Sequence, residues 1–400
     1  MYNKIVRLSV FCVCVLFSCS WRAEACSTYT IQTNDGITTH TYWTRTMDLL
    51  IDSTKLGIGL RAIQQGEVIT RIDSETVHAS WPVKYTTVGA GLGVDTVNML
   101  SDGVNSAGLS GGMFWLNSAT YTTQNNKVGP DDFVTYVLTN YASVEEIAAD
   151  AVKGNLNLGK GVLGVNSFHY TFTDKTGRTL VIEPIIKDGK FTMSMYTNYE
   201  SAALNSAGLD PSKYKISINV MTNSPIYNEM IALYNSGTIE KTGTSGPARF
   251  YRLAENKQFA HDLESYAGVM MKIYTPFGMD SIDSHTEWNT RYNPIYDVKT
   301  DSATGAVKGV DIYIKPGDGA LSTKYIMDAA DPSSSKSLMR SFDVDNVGVD
   351  ITDPDVSYWV IGDYRRGAYF NDGLSTPVNY SNQTTSSLAN DPAYKAYIIH

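Results

Sequence analysis

Cysteine is scarce in this sequence of 400 residues, and three of its four cysteines lie within the first 25 positions. Only Cys26 follows them, so a chain that begins at Cys26 has no second cysteine with which to form a disulfide. Such a chain depends on its hydrophobic core for stability, and its length is sufficient to bury one. The remaining cysteine is therefore a candidate for chemistry rather than for crosslinking.

Other absences narrow the class of protein. Charged residues make up only 18% of the chain and the net charge is −9, which argues against a nucleic-acid partner. After the first 25 residues no apolar run is long enough for a membrane helix, so stable membrane insertion is not expected. No histidine pairs with another histidine or a cysteine at metal-ligand spacing, and no phosphate-binding loop or Gly-x-Ser-x-Gly motif is present. We therefore expect neither a metal nor a cofactor.

Residues 1–25 have the organisation of a secretory signal peptide. Two basic residues precede an apolar run at 8–17 that is too short to span a bilayer, and the small-x-small triplet at 23–25 fits a cleavage site. Cleavage there predicts a periplasmic or secreted protein that begins at Cys26. The alternative is a lipoprotein signal in which Cys19 is acylated and the later cysteine stays internal.

An N-terminal cysteine combines a nucleophilic thiol with an α-amine that titrates near neutral pH and can act as its base. Two predicted strands flank a hairpin signal, Asn-Asp-Gly at 34–36. With Asp-Gly as the two-residue turn, Arg45 lies opposite Cys26, where a cation favours the thiolate and can hold a substrate carbonyl or carboxyl. Asp48 is then placed to accept a hydrogen bond from the α-ammonium. The alternative is that Arg45 and Asp48 form an ordinary surface ion pair.

Runs of strands and helices follow one another along the chain. Two helices are predicted over residues 131–141 and 143–152, and further helices between 226 and 271, with strands before, between and after them. Segregated runs of this kind favour sheets with helices packed on their outer faces. We predict a single domain over residues 26–400.

Turn signals and irregular stretches complete this outline. Residues 102–105 are predicted as a turn, and the glycine-rich residues 89–93 as a turn or bulge rather than a nucleotide-binding loop, because no clear helix follows them. The pattern weakens towards the end, where we predict a loop at 331–336, a hairpin at 357–370 and a polar tail at 375–390.

Several segments together resemble the choloylglycine hydrolase family, the penicillin V acylases and bile salt hydrolases among the N-terminal-nucleophile hydrolases. The likeness begins with Cys-Ser-Thr-Tyr at 26–29 and Arg-Thr-Met-Asp at 45–48. Later segments resemble family segments in the same order: 102–109, 138–146, 168–184, 222–225 and 248–250. Residues 300–400 do not align, and the family's final hairpin matches either residues 286–313 or the later hairpin predicted above.

The resemblance implies an α+β fold, a four-layer αββα sandwich of antiparallel sheets. It also implies hydrolysis of the linear amide C–N bond of a small-molecule substrate, without a cofactor. Cys26 would be the nucleophile and, through its amine, the base, with Arg45 beside the thiolate and Asp48 bonded to the amine. Asn223 would donate a side-chain N–H to the oxyanion, and Arg249 matches the family's second active-site arginine.

Counting from the family's Gly-Leu pair, here at 108–109, places the second oxyanion donor at the backbone N–H of Trp115. Bile salt hydrolases have asparagine there and Gram-positive penicillin acylases have tyrosine, so tryptophan resembles the Gram-negative branch. The alternative is a core aromatic on a buried strand. The resemblance also implies a homo-oligomer, a tetramer in the family. However, the interval from Asn223 to Arg249 is too short for the assembly loop of bile salt hydrolases.

The function expected from this pattern is an exported N-terminal-cysteine amidase. Its acyl groups would be aromatic or fatty, as in penicillin V or acyl-homoserine lactones, with bile salts as the alternative substrate. A rival of another class is a non-catalytic exported lipoprotein. The leaving amine and the physiological substrate stay open at this stage.

Overall fold

The computed structural model describes residues 26–49, 58–73, 76–92, 100–121, 128–156, 158–159, 167–273, 289–316, 323–328, 337–340, 348–349 and 358–360. The predicted leader with its lipoprotein alternative, the loop at 331–336 and the tail at 375–390 lie outside these residues. So does most of the predicted hairpin at 357–370.

The described residues form strands and short helices in alternating groups. The strands are β1 (Ser27–Asn34), β2 (Thr38–Leu49), β3 (Ile58–Ile63), β4 (Val68–Asp73), β5 (Thr76–Pro82), β6 (Thr87–Leu92), β7 (Leu100–Asn105), β8 (Ser110–Trp115), β9 (Phe168–Thr173), β10 (Thr179–Lys187), β11 (Lys190–Thr197), β12 (Val220–Thr222), β13 (Asn289–Asp301), β14 (Val307–Pro316), β15 (Thr323–Asp328), β16 (Ser337–Arg340), β17 (Gly348–Val349) and β18 (Tyr358–Val360). The helices are α1 (Phe133–Asn140), α2 (Val144–Val152), α3 (Ala202–Ser206), α4 (Pro211–Tyr214), α5 (Tyr227–Asn235), α6 (Gly246–Asn256) and α7 (Leu263–Met270), with a 3-10 turn at Lys257–Phe259.

Two large sheets and one hairpin contain these strands. The first sheet has the order β12-β1-β2-β13-β14-β15-β16-β17, the second the order β11-β10-β9-β8-β7-β6-β3-β18, and β4 pairs with β5. The ladders that carry the inner strands are antiparallel. β13 and β14 form an antiparallel hairpin that covers most of the first candidate segment, 286–313, and extends three residues beyond it to Pro316. β18 pairs with β3.

Helices cover the outer face of each sheet. α1 contacts β7 and β8, and α2 contacts β10, so these helices lie on the second sheet. α6 contacts β12 and β1, and α7 contacts β2, so these helices lie on the first sheet, while β2 contacts β8 between the sheets. This arrangement confirms the predicted α+β fold with four layers in the order αββα. Within the described residues, no helix is long and apolar enough to cross a membrane.

The apolar face of α1 explains why this helix forms where the sequence predicts it. Phe133 and Val137 are buried, and the Phe133 ring lies 4.5 Å from the ring of Tyr170 on β9. Burying a side chain of this size stabilises the fold by about 1.5–3 kcal/mol. α2 begins after Ser143, whose hydroxyl accepts the N–H of Glu146 at 3.3 Å. Both predicted helices are therefore confirmed.

The predicted turn at residues 102–105 is wrong, because these residues belong to β7. The glycines that suggested a turn instead allow neighbouring strands to approach: a Cβ on Gly103 would lie 2.7 Å from the carbonyl oxygen of Val88. The chain turns after the end of β7, where Gly108 has a φ of +84°. The predicted bulge near residue 90 is confirmed by a register shift between Ala90 and Gly91.

Candidate active site

Cys26 immediately precedes β1, which lies between β12 and β2 in the first sheet. It is buried, with 7% of its surface exposed. In the ladder between β1 and β12, Ser27 pairs with Thr222, so one further step in the same register sets Asn223 beside Cys26. Asn223 is buried as well. The strand pairing thus brings the predicted nucleophile and a predicted oxyanion donor to the same end of the sheet.

The predicted pairing of Cys26 with Arg45 is wrong by two residues. Arg45 pairs with Thr28, because the ladder starts at Asn34 and Thr39 and the connecting loop is longer than the predicted two-residue turn. Side chains along a strand alternate between its faces, so an offset of two residues keeps Arg45 on the face of Cys26. Arg45 and the Cys26 side chain are near enough for the charge of the arginine to favour a thiolate, and Cys26 in turn raises the pKa of Arg45.

Arg45 is almost fully buried, with 1% of its surface exposed. Its Nη1 donates to the carbonyl oxygen of Ser101 at 3.0 Å and lies 3.6 Å from Oδ2 of Asp102, while the guanidinium stands 4.8 Å above the ring centre of Phe114. Burial opposes the charge, but the attraction of Cys26 and Asp102 outweighs it and raises the pKa of Arg45. The alternative of an ordinary surface ion pair is therefore wrong.

Asp102 on β7 is a buried counterion of Arg45 that sequence reasoning did not assign to the site. Its carboxylate accepts hydrogen bonds from the hydroxyls of Tyr292 at 2.8 Å and Tyr296 at 2.5 Å, both on β13, and from Ser101 Oγ at 3.3 Å. Burial raises the pKa of Asp102, although Arg45 and these hydroxyls act in the opposite direction. No local signal joins an Asp-Gly dipeptide to a strand 190 residues further along the chain.

Asp48 lies near the end of β2 with one carboxylate oxygen bonded and the other not. Thr46 Oγ1 donates to Oδ2 of Asp48 at 3.0 Å and accepts the N–H of Ser27 at 3.1 Å, and Thr290 also bonds Asp48. Oδ1 is buried and has no hydrogen-bond partner among the described residues. Burial, opposed chiefly by Arg249, raises the pKa of Asp48 to about 6. The contact of Asp48 with an α-amine at Cys26 stays a prediction.

Arg249 reaches the backbone of Cys26 from α6. It is fully buried, and its Nη1 donates to the carbonyl oxygen of Cys26 at 2.7 Å and to the hydroxyl of Ser27. Nε donates to the carbonyl oxygen of Thr244 at 2.9 Å, which fixes the side chain from its other side. Cys26 therefore has one arginine at its side chain and a second at its carbonyl, and the second also attracts Asp48.

Trp115 is the last residue of β8 and is partly buried rather than enclosed in the core. Its indole N–H donates to Oδ1 of Asn117 at 2.8 Å, and its ring packs edge-on against Phe168. The N–H of Asn117 donates to the hydroxyl of Ser224 at 2.8 Å. This bond ties the end of β8 to the residue after Asn223, so the structure brings the two predicted oxyanion segments together.

Glu183 holds the chain that follows Asn223, and sequence reasoning did not assign it a role. Its Oε1 accepts the N–H of Tyr227, the first residue of α5, at 2.8 Å, and lies 3.0 Å from Nδ1 of His169. Glu183 and His169 are both buried. A carboxylate within the apolar run Val-Ile-Glu-Pro of β10 was the available signal. Among the described residues there is no group of three or more His, Cys, Asp or Glu side chains arranged for a metal.

The layers and the buried cysteine at the start of an inner strand define an N-terminal-nucleophile hydrolase fold. The sequence profile of the linear amide C–N hydrolases, choloylglycine hydrolase family, matches residues 26–245. This match spans more than half of the chain, and the chain therefore belongs to that family.

Individual relatives agree with this assignment. The chain is 24% identical over 256 residues to a penicillin V acylase of Pectobacterium atrosepticum, a match that covers 55% of this chain and 62% of that protein. The chain thus spans less than two thirds of the length of this curated relative. A crystal structure of conjugated bile acid hydrolase from Clostridium perfringens has a TM-score of 0.59 and 16% identity, covering 81% of this chain and 99% of that one. Penicillin V acylase from Agrobacterium tumefaciens has a TM-score of 0.51 and 20% identity, covering 76% and 91%.

Proposed function

We propose that the protein is an exported hydrolase of linear amide C–N bonds whose nucleophile is the thiol of an N-terminal Cys26. The observation that carries the proposal is the pair of buried arginines, Arg45 at the side chain of Cys26 and Arg249 at its carbonyl oxygen. Membership of the family supports the same reaction class. Removal of residues 1–25 by a signal peptidase would place a thiol and a free α-amine on one residue, in the periplasm or outside the cell.

The proposed reaction has two halves that share one thiol and one amine. The Cys26 thiol passes its proton to the α-amine and attacks the substrate carbonyl carbon, forming a tetrahedral oxyanion. The C–N bond breaks as the α-ammonium protonates the leaving amine, and a thioester remains. Water then attacks the thioester with the α-amine as base, the C–S bond breaks, and the acid and the thiol are released. Arg45 would stabilise the thiolate in both halves.

Asp48 is proposed to orient the amine. Its buried Oδ1 has no hydrogen-bond partner among the described residues, and its Oδ2 is linked through Thr46 to the N–H of Ser27, the residue after Cys26. An α-ammonium bonded to Oδ1 would satisfy that oxygen and hold the amine near the thiol. It would also lower the pKa of Asp48 from about 6, because a nearby cation favours the carboxylate.

The oxyanion is proposed to accept hydrogen bonds from the side-chain N–H of Asn223 and the backbone N–H of Trp115. The register of β1 and β12 and the bond between Asn117 and Ser224 support this placement. One donor of this kind contributes about 3 kcal/mol of transition-state stabilisation.

The acyl group is proposed to be aromatic or fatty, as in penicillin V or an acyl-homoserine lactone. The similarity to a penicillin V acylase supports this choice, and the partly buried indole of Trp115 offers an apolar wall for such a group. Glycine-conjugated bile salts are the alternative substrate. We also propose a homo-oligomer. Its only support is membership of the family, whose members include tetramers.

The first experiment is intact mass and N-terminal sequencing of the protein exported with its own leader. A chain that starts at Cys26 with a free α-amine is the expected result. A lipid on Cys19, or residues retained before Cys26, would overturn the catalytic proposal and favour the non-catalytic lipoprotein.

The second experiment compares the parent with Cys26→Ser in hydrolysis of penicillin V, an acyl-homoserine lactone and a glycine-conjugated bile salt. We expect Cys26→Ser to fold with an unchanged Tm and to lose activity by about 100-fold or more, because a hydroxyl is a poorer nucleophile than a thiolate. A serine variant as active as the parent, or one that does not fold, would contradict the assigned role.

A further inference from the structure

We propose that Tyr292 and Tyr296 act, through Asp102, as positioning residues that keep the positive charge of Arg45 directed at Cys26. Sequence reasoning did not single out these tyrosines, and β13 lies beyond the residues 26–245 that the family profile matches. The inference rests on the proposed function in one respect, since it takes the Cys26 thiol as the reacting group.

Each oxygen of the Asp102 carboxylate has its own tyrosine donor. The Tyr296 hydroxyl donates to Oδ1 at 2.5 Å and the Tyr292 hydroxyl donates to Oδ2 at 2.8 Å. The tyrosines are four residues apart on one strand, so they point to the same face, and both are fully buried. A hydroxyl that donates to a buried carboxylate stabilises its ionised form.

Arg45 is attracted to this carboxylate but does not form a close ion pair with it. Nη1 lies 3.6 Å from Oδ2 of Asp102, whereas a direct bond between a guanidinium and a carboxylate is about 2.7–2.9 Å long. Nη1 instead donates to the carbonyl oxygen of Ser101 at 3.0 Å, and the guanidinium charge also attracts the Cys26 side chain. Because the tyrosine hydroxyls occupy Asp102, the arginine keeps its charge available to the thiolate.

Removing a tyrosine hydroxyl should change this balance. Without the Tyr296 hydroxyl, Oδ1 of Asp102 loses its tyrosine donor, and without the Tyr292 hydroxyl, Oδ2 keeps only the longer bond from Ser101 Oγ at 3.3 Å. A buried carboxylate oxygen that loses a donor is stabilised by a replacement, and Arg45 is the cation that faces Asp102 in the described part of the chain. A closer pair between Arg45 and Asp102 would draw positive charge away from Cys26 and disfavour the thiolate. Asp102→Asn should do the opposite, because it removes the negative charge that competes with Cys26 for the arginine.

Other ionisable groups near Cys26 are unaltered by these substitutions. Arg249 approaches from α6 and Asp48 from β2, and the proposed α-amine belongs to Cys26 itself. Their influence on the thiol is therefore common to the parent and to every variant.

The test is the rate at which iodoacetamide alkylates the protein that starts at Cys26, measured by mass spectrometry as a function of pH. Cys26 is the only cysteine after residue 25, so the label reports one thiol. In Tyr292→Phe and Tyr296→Phe we expect the half-maximal pH of alkylation to rise by about 0.5–1 unit, which is roughly a 3- to 10-fold slower reaction below that pH. In Asp102→Asn we expect it to fall.

Tyr313→Phe is the matched control. Its hydroxyl donates to Oδ2 of Asp311 at 3.2 Å on β14, a carboxylate other than the one that faces Arg45. Removing it should leave the alkylation profile unchanged.

The inference is supported if the half-maximal pH of alkylation rises in the two tyrosine variants and falls in Asp102→Asn. A general loosening of the site would shift this pH in the same direction in all three variants. Unchanged profiles in both tyrosine variants, or shifts of one sign in all three, would overturn it. If Asp102→Asn does not fold, a crystal structure of Tyr292→Phe decides instead: the Nη1–Oδ2 distance should shorten from 3.6 Å, and an unchanged distance counts against the inference. Fully alkylated protein that still hydrolyses amides would overturn the proposed function and leave these shifts standing.

Discussion

Replacing Arg249 with methionine tests the electrostatics of the buried start of β1. Methionine is apolar and about as long as the methylene stem of arginine, so it fills much of the same space. It lacks the charge and the bonds to the carbonyl oxygen of Cys26 and to Ser27. It also removes the main attraction that opposes the effect of burial on Asp48. The free energy of unfolding should therefore fall by an amount that depends on pH.

The magnitude follows from Asp48. Burial raises its pKa in the folded protein from 3.8 to about 6, so the folded state binds the proton more tightly than the unfolded state. Stability is then lost as pH rises from about 4 to about 6, and two pKa units correspond to about 3 kcal/mol. Without Arg249 the folded pKa rises further and the loss continues above pH 6.

We expect Arg249→Met, in protein whose α-amine is acetylated so that no ammonium acts on Asp48, to lower the free energy of unfolding by about 3–5 kcal/mol at pH 8, where Asp48 is ionised without Arg249. At pH 5 Asp48 carries its proton, and the loss should be about 1–3 kcal/mol, from the hydrogen bonds alone. Urea denaturation followed by tryptophan fluorescence measures both values, since urea adds no ionic screening.

Two further variants complete the test. Arg249→Met made in an Asp48→Asn background should cause a loss, relative to Asp48→Asn alone, that is the same at both pH values, because position 48 then has no carboxylate to ionise. Arg252→Met, on the same helix, removes bonds to the carbonyl oxygens of Lys272 and Gly243 and should show a loss that is the same at both pH values. An equal loss for Arg249→Met at pH 5 and pH 8, or an unchanged pH dependence in the double variant, would refute the reasoning.

Two further substitutions test the supports of the site. Glu183→Ala leaves the N–H of Tyr227 and a buried histidine without their acceptor, and we expect a loss of about 2–5 kcal/mol in denaturation together with a lower kcat, much of which Glu183→Gln should recover. Gly89→Ala would set a Cβ 2.1 Å from the carbonyl oxygen of Asp102, and we expect a loss of at least about 1–3 kcal/mol. Gly268→Ala in α7, where the Cβ position has open space, is the control and should not destabilise.

Features that depend on local pattern could be predicted from the sequence. The apolar spacing of α1 and the Ser-x-x-Glu start of α2 predicted both helices, since helix faces and caps are set by residues three and four apart. Strand alternation placed Arg45 on the face of Cys26 even though the loop length was wrong, because an error of two residues preserves the face. The roles of Trp115 and Asn223 came from the family resemblance and stay predictions.

Features that depend on the meeting of distant strands could not be predicted in this way. The dipeptide Asp102-Gly103 has the composition of a turn, and only the close approach of neighbouring strands makes it part of β7. Its tyrosine partners lie on β13 of the other sheet, and the tether from Glu183 to Tyr227 joins β10 to α5.

The sequence by itself thus determined which residue carries the thiol, which arginine shares its face, and where the helix pair α1 and α2 lies. The tertiary structure alone decided that the arginine is buried between two sheets and that its counterion is held by two hydroxyls from a later strand. The physical reason is that periodicity records the faces of one element, whereas the partners of a buried charge are selected by packing between elements.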